Sequence, residues 1–310
     1  RKMKKIILFL PFFFLISSFC FSENKAYTLN INDAIGPITY YQITRVINSA
    51  EKNNAEFVLL IIDTPGGLLS STRKIVQEIL KSKVPIIGFV YPSGAQCASA
   101  GTFIALSCDI LVMAPATNIG AAHPVTLTGG DEQSKTMEEK VVNDTVSFIK
   151  SIAKYKGRNE NWAEKAVRES ISSTETEALK NNVIDFIAED IDQLLENIDG
   201  KKIIKSGKEV VLHTKDIVFE SLKQSFKDDF LKTISDPNIA YLLLIIGMWG
   251  IILEFSHPGF GLPGIAGTIC LILGFFALHT MPINIAGLLL LILGFILFGI
   301  EAITPTFGLF

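Results

Sequence analysis

Three short stretches carry residue types that could do hydrolytic chemistry. The first is Asp63-Thr64-Pro65-Gly66-Gly67, which follows an apolar run and precedes an amphipathic one. Paired glycines at such a junction let backbone N–H groups turn toward a substrate carbonyl, next to the partial positive charge of a helix N-terminus. That is the construction of an oxyanion hole. The second is Gly94 to Gly101, where Ser99 stands among Ala98, Ala100 and Gly101. Small neighbours let the serine pack closely while its hydroxyl faces a cleft. The third is Lys140, on the edge of the apolar face of a long helical stretch, beside Met137 and Val141. A lysine partly shielded from water gives up its proton more readily, and a neutral amine can take the proton of a serine hydroxyl. Each feature alone has an ordinary reading: a strand-to-helix turn, an N-cap serine, a solvated lysine paired with Asp144 one turn on. Together they outline nucleophilic hydrolysis by a serine with a lysine base. His123 lies closer to Ser99 in the chain and is a rival base of the Ser–His–Asp kind.

These residues need a scaffold, and the middle of the chain, residues 26–212, alternates strand and helix patterns. Tyr27–Ile31 reads as a strand and Ile38–Lys52 as a helix. Phe57–Asp63 is a continuous apolar run ending in a turn, the mark of a strand buried on both faces. Leu68–Lys81 reads as an amphipathic helix, Pro85–Tyr91 as a strand, Cys97–Ser107 as a short helix of small residues, and Ile110–Ala114 as a strand. Thr126–Gln133 is polar and glycine-bearing, a surface loop. Ser134–Lys156 has the 3.6-residue period of a long helix, with Met137, Val141, Phe148 and Ile152 on its apolar face. Further helices are expected at Asn161–Glu169 and Glu175–Asn181, a strand at Val183–Ala188, and a hairpin at Lys202–Leu212. The pattern is α/β with a largely parallel sheet.

Of the 310 residues, 49% are hydrophobic, and the excess sits at the two ends. At residues 1–22, Lys4 and Lys5 precede an apolar run from Ile6 to Phe21, with small residues before Glu23, the pattern of an export signal. Residues 213–238 read as an amphipathic linker whose helix spans Asp216–Ser235, with Phe219, Leu222, Phe226 and Leu231 among charged residues. It would lie on a membrane surface or simply connect. Residues 239–310 are almost wholly apolar and hold three candidate spans, Ile239–Leu253, Ile265–Leu278 and Ile283–Ile300. Such a chain sits in the cell membrane as a multi-pass protein, with the domain after the signal on the extracytoplasmic side. A net charge of -3 gives no electrostatic case for a nucleic-acid partner. The four cysteines form no disulfide framework: Cys20 and Cys270 fall in the apolar ends, and Cys97 and Cys108 read as buried fillers. No metal or cofactor motif is present.

The combination of Asp63-Thr64-Pro65-Gly66-Gly67, Tyr91-Pro92, Ala98-Ser99-Ala100-Gly101 and Asn118 to Pro124 resembles the NfeD family of membrane-bound Clp-class serine proteases. Lys140-Val141-Val142-Asn143-Asp144, Gly157-Arg158-Asn159, Trp162 to Arg168, Asp236-Pro237-Asn238, Glu254 and Pro258-Gly259 extend the likeness, which runs from about residue 26 to the end. The resemblance implies a ClpP/crotonase-like fold followed by a helical transmembrane region, and a Ser–Lys dyad. It makes Ser99 the nucleophile, Lys140 the general base, and Gly66 and Gly67 the oxyanion loop. It further implies a homodimeric protease domain and a stomatin-like membrane protein as partner, with apolar segments of that partner as substrate. The segment around His123 is ordinary for this family, so Lys140 is the preferred base. Longer members continue into a small soluble β-barrel, whereas this chain stops at Phe310. A crotonase-like fold hosts many functions, so a non-catalytic membrane scaffold that binds a stomatin-like protein is the alternative. A coenzyme A-dependent crotonase fits an exported domain poorly.

Overall fold

Every side chain of Phe57–Ile62 is apolar, and the alternate residues of that strand enter two different cores. In the computed structural model, which describes residues 24–124, 132–205, 207–221, 233, 237–256, 261–279, 290, 293, 294 and 297, the strand lies inside a six-stranded parallel sheet. The elements run β1 (Lys25–Ile31), α1 (Pro37–Lys52), β2 (Phe57–Ile62), α2 (Leu69–Lys81), β3 (Ile86–Val90), β4 (Gln96–Ala98), α3 (Ala100–Ser107), β5 (Ile110–Met113), β6 (Asn118–Gly120) and α4 (Glu132–Tyr155). Then come α5 (Glu160–Arg168), β7 (Ser172–Thr174), α6 (Glu175–Lys180), β8 (Phe186–Ile187), α7 (Ile191–Ile198), β9 (Lys202–Lys205), β10 (Lys208–Val211) and β11 (Val218–Ser221). The main sheet has the order β11-β1-β2-β3-β5-β8; β4, β6 and β7 form a second, three-stranded sheet, and β9 and β10 a hairpin.

Val58, Leu60 and Ile62 of β2, with Ile86 and Val90 of β3, point to the core beneath α1 to α5. Phe57 and Leu59, with Ile87 and Phe89, point to the other core, which α7 closes through Leu194 and Ile198. A strand buried on both faces has no polar side to present, which is why its sequence reads as one apolar run.

Three differences from the sequence expectation stand out. Cys97–Ser107 is not one helix: it splits into β4 and α3, with Ser99 at the joint. Asp216–Ser235 does not begin as a helix, because Val218–Ser221 pairs in parallel with Lys25–Thr28 as the edge strand β11. Lys25 Nζ reaches Glu220 at 2.6 Å and secures that pairing. The globular part therefore extends past Leu212 to Ser221. The expected strand at Val183–Ala188 shortens to two residues, and α7, β6 and β7 are additional. The expected signal at 1–22, most of the loop at Thr126–Gln133 and, apart from isolated positions, residues 222–236 of the linker and the span Ile283–Ile300 lie outside the described residues.

Two long apolar helices follow, Pro237–Ser256 and Leu262–His279, packed against each other. The first, over Asn238–Ser256, is long and apolar enough to cross a membrane. The two approach closely through small residues: a Cβ on Gly250 would stand 2.8 Å from the Cα of Gly267. The Glu254 carboxylate accepts the N–H groups of Gly261 at 3.2 Å and Gly264 at 3.3 Å, which caps the turn into the second helix.

Beneath the main sheet, Asp109 is almost fully buried and holds two lysines. Lys156 Nζ meets Oδ1 at 2.6 Å, Lys205 Nζ meets Oδ2 at 2.6 Å, and the Ile86 N–H donates to Oδ2 at 2.8 Å. This network fixes the β9–β10 hairpin to the core. Burial, opposed by attraction to Asp109, pulls the pKa of Lys205 below the usual lysine value. The unfolded chain then binds that proton more tightly than the folded one. The group's contribution to stability is smallest near neutral pH and rises as pH climbs toward the ordinary lysine range. Removing the carboxylate would strand two buried cations. Asp109→Asn should cost about 3–5 kcal/mol, whereas Lys205→Met, which leaves Lys156 on Asp109, should cost much less and abolish the alkaline gain. Melting of the detergent-solubilised chain between pH 7 and pH 10 tests both, and equal losses for the two variants would contradict the assignment.

Candidate active site

The C-terminal end of β2 runs on through Asp63 and Thr64 into Gly66 and Gly67 before α2 begins. Thr64 is fully buried and bonds in three directions. Its hydroxyl donates to the carbonyl of Asp33 at 2.8 Å and accepts the Gly66 N–H at 3.2 Å. Its backbone N–H donates to the Gln96 carbonyl at 2.7 Å, and its carbonyl accepts the Ala98 N–H at 3.1 Å. The Asp63 carboxylate adds a bond from the Gln96 N–H at 3.0 Å. On the other side, the Ile35 N–H donates to the Gly66 carbonyl at 2.7 Å, and the Leu68 N–H to the Ile35 carbonyl at 2.8 Å. The loop is thus held between the segment after β1 and strand β4.

Both glycines are required by this fit. Gly66 has φ +119° and Gly67 φ +156°, values that side-chain-bearing residues rarely adopt. A Cβ on Gly67 would stand 2.2 Å from the Ile35 carbonyl oxygen. A Cβ on Gly66 would stand 2.5 Å from Cβ and 3.0 Å from Oγ of Ser99. The Ser99 hydroxyl therefore lies directly against the Gly66 backbone.

Ser99 sits at the elbow between β4 and α3 with φ +52° and ψ −115°. That conformation costs about 1–3 kcal/mol for a residue with a side chain, and it persists because its surroundings dictate it. The Ser99 N–H donates to the Gly120 carbonyl at 2.9 Å, and the Thr102 hydroxyl bridges the carbonyls of Cys97 and Gly120 at 3.0 and 2.9 Å. A sharp strand-to-helix turn that lifts a serine hydroxyl out of the fold is the geometry of a nucleophile elbow. Ser99 is half-buried and its Oγ takes no hydrogen bond among the described residues. Two backbone N–H groups near it are also left over there, those of Gly67 and of Ala100, the latter at the start of α3. The Gly66 N–H is already committed to Thr64. Gly67 and Ala100 are thus the pair able to receive a developing oxyanion. Sequence reasoning passed over Ala100, because a backbone donor leaves no mark in residue type.

The structure brings Ser99, Gly66 and Gly67 together. Lys140 lies on the N-terminal half of α4, and there the expectation of shielding fails: Lys140 is exposed, and Met137 is 59% exposed. Burial on α4 begins at Thr145 and Val146. Asp144 is not the partner of Lys140, since it pairs with Arg73 of α2. His123 follows β6, and its Nδ1 donates to the Val167 carbonyl at 2.8 Å, where a Ser–His–Asp base would donate to a carboxylate. Cys97 and Cys108 are buried, and burial pushes both thiols far up, Cys108 to about 12, which rules them out as nucleophiles.

Residues 25–214 match the family model described as the NfeD1b N-terminal domain, and residues 238–310 match the NfeD integral membrane domain. The chain is similar to the membrane-bound protease PH1510 of Pyrococcus horikoshii, with 40% identity over 99% of this chain and 70% of the relative. It is also similar to the membrane protein NfeD1b of Bacillus subtilis, with 29% identity over 85% of this chain and 58% of that relative. Among solved structures, it is similar to 1510-N, a membrane-bound stomatin-specific protease, as a lysine-to-alanine mutant in complex with a substrate peptide. That match has 39% identity, TM-score 0.61, and covers 69% of this chain and 98% of the other. A serine-to-alanine mutant of the same protease gives 37% identity and TM-score 0.60 over 66% of this chain and 100% of that one.

The geometry makes Thr64 the residue that sets the glycine loop against Ser99. Thr64→Val keeps the shape and removes the hydroxyl, and with it the bonds to the Gly66 N–H and the Asp33 carbonyl. It should cost about 1–3 kcal/mol, whereas Thr64→Ser should retain most of that stability. Denaturant titration of the two variants checks this, and a Thr64→Val chain as stable as the parent would count against the role.

Proposed function

The chain belongs to the NfeD family, and from that membership we propose that it is a membrane-bound serine endopeptidase working through Ser99 and Lys140 on apolar segments of membrane-associated proteins. The observation that carries the reading is the strained elbow at Ser99, packed against Gly66 with free N–H groups on either side. Solved relatives with a serine or a lysine replaced by alanine, one of them holding a substrate peptide, support the same two residue types.

In this mechanism the Ser99 hydroxyl attacks the scissile carbonyl carbon while the neutral Lys140 amine takes its proton. The carbonyl oxygen becomes an oxyanion between the N–H groups of Gly67 and Ala100. The Lys140 ammonium then protonates the leaving amine, the peptide C–N bond breaks, and an acyl-Ser99 ester remains. Water, deprotonated by the same amine, hydrolyses that ester and restores Ser99. Because Lys140 acts as a base only when neutral, the rate should rise with pH over the range in which it loses its proton.

The relative 1510-N is described as stomatin-specific, which makes a stomatin-like membrane protein the favoured partner and substrate here, and a homodimer of the protease domain the favoured assembly. The protein is a membrane protein, and three crossings with an extracytoplasmic protease domain are the favoured arrangement. A division into a signal at 1–22, a protease domain, a linker and a membrane region from about residue 239 accompanies it, with β11 counted in the protease domain. One structural fact supports a membrane-proximal site. Strand β11 is parallel to β1 and β2, so the chain leaves the sheet toward the membrane helices heading for the edge at which β2 delivers Gly66 and Gly67.

Ser99→Ala and Lys140→Ala should each lower kcat on an apolar peptide by about 10³-fold or more, with melting unchanged, and His123→Ala should remain active. An active Ser99→Ala enzyme would remove the nucleophile assignment, and an active Lys140→Ala beside an inactive His123→Ala would move the base. For the sidedness, Lys208→Cys offers an exposed thiol on the β9–β10 hairpin, while Cys97 and Cys108 are buried. A membrane-impermeant maleimide should label it in intact cells; labelling only after lysis would overturn the extracytoplasmic placement.

A further inference from the structure

Three helices each carry one part of the proposed site: α2 begins after the glycine loop, α3 begins at Ser99, and α4 bears Lys140. One side chain touches the packing of all three. Arg73 of α2 places its guanidinium 4.3 Å from the centre of the Phe148 ring of α4. Phe148 in turn stacks on Phe103 of α3, with centroids 5.6 Å apart and planes 18° from parallel. The same guanidinium forms an ion pair with Asp144 of α4. Lys140, Asp144 and Phe148 follow one another at four-residue steps, so they lie along one side of α4. We infer that Arg73 is a positioning residue for Lys140: it sets the side of α4 that bears the base against the helices that bear the nucleophile and the glycine loop. The inference rests on the Ser99–Lys140 reading.

An exposed ion pair alone would hold little. A planar guanidinium that lies over a ring while one of its N–H groups donates to a carboxylate oxygen is held from two sides at once, which a lysine ammonium does less well. The buried part of α4 starts only at Thr145. Val142 packs at the edge of the core, and the Arg73 contacts to Asp144 and Phe148 therefore lie where α4 meets the core, one turn beyond Lys140. A base displaced by an ångström loses much of its rate.

Arg73 also keeps Asp144 occupied. Among the described side chains, the charged groups within about one turn of Lys140 on α4 are Glu138, Glu139 and Asp144, and Arg73 of α2 reaches Asp144. Ala100–Ser107 of α3 contributes none, Lys74 stands over Tyr40 instead, Glu164 of α5 is taken by Lys150 and Arg168, and His123 bonds to Val167. If Arg73 is removed, Asp144 becomes free one turn from Lys140 and favours its ammonium. The rising limb of the pH–rate profile then moves to higher pH.

The test is steady-state cleavage of an apolar peptide by the full chain in detergent, across pH 6–10. Arg73→Met should lower kcat about tenfold with KM within about twofold of the parent, and should move the limb up by a few tenths of a pH unit. Arg73→Met with Asp144→Asn should bring the limb back while kcat stays low. Arg73→Lys keeps the cation without the flat stack; it should lower kcat with the limb in place, and it carries the test if Arg73→Met does not fold. Parent kcat in Arg73→Met or Arg73→Lys, or a limb that stays displaced in the double variant, would overturn the inference. An active Lys140→Ala enzyme would instead overturn the dyad reading beneath it.

Discussion

A backbone held at φ +52° by a serine is the constraint around which this domain is arranged. The conformation is unfavourable in isolation by about 1–3 kcal/mol, so neighbouring groups must leave it no alternative. They come from distant parts of the chain. Gly120 accepts the Ser99 N–H, Thr102 reaches back to Cys97 and Gly120, and Thr64 holds β4 on its other edge. None of these bonds is strong alone, at about 0.5–1.5 kcal/mol net. They are buried, however, and losing either partner leaves a polar group without water to replace it. The elbow is therefore fixed by the cost of the alternatives more than by the strength of any one contact.

The parallel sheet explains why these pieces meet. Parallel strands deliver all their C-terminal loops to one edge, and catalytic groups in such sheets collect there. Here that edge receives the glycine loop from β2 and the segment Asp33–Ile35 from β1, which clasp each other through Ile35 and Gly66. Strand β11 adds itself beside β1 in the same direction. The chain therefore leaves β11 at the same edge of the sheet as the glycine loop.

The legibility of these features in the sequence followed burial. The strand Phe57–Ile62 and the helices α1, α2 and α4 were plain because each buries one face or both, and the pattern of apolar residues records that; the two later helices were plain from their unbroken apolar composition. The glycine pair was legible because only glycine fits beside Ile35 and Ser99. The strands β4, β6 and β7 were not, since three residues carry no period, and the small residues of Cys97–Ser107 suit a helix as well as an elbow. β11 was hidden for a different reason: Phe219 suits the apolar face of a helix as well as the edge of a sheet, and the partner that decides, β1, lies at the far end of the domain. The donor at Ala100 is backbone and has no residue signature. Lys140 was misjudged in its surroundings, because the apolar residues near it, Met137 above all, are exposed on the single chain.

That last difference separates the site into two parts of unlike rigidity. Ser99, Gly66 and Gly67 lie within a network of buried hydrogen bonds from Thr64, Thr102, Gly120 and Ile35, where local opening is costly. Lys140 is exposed on α4, two residues from Val142 at the edge of the core and one turn from Asp144, which pairs with Arg73. A nucleophile and oxyanion site can be prebuilt, because the strain they carry is offset by the fold. A lysine base has a different requirement: it must lose its proton to act, and it does so more readily as water is excluded around it.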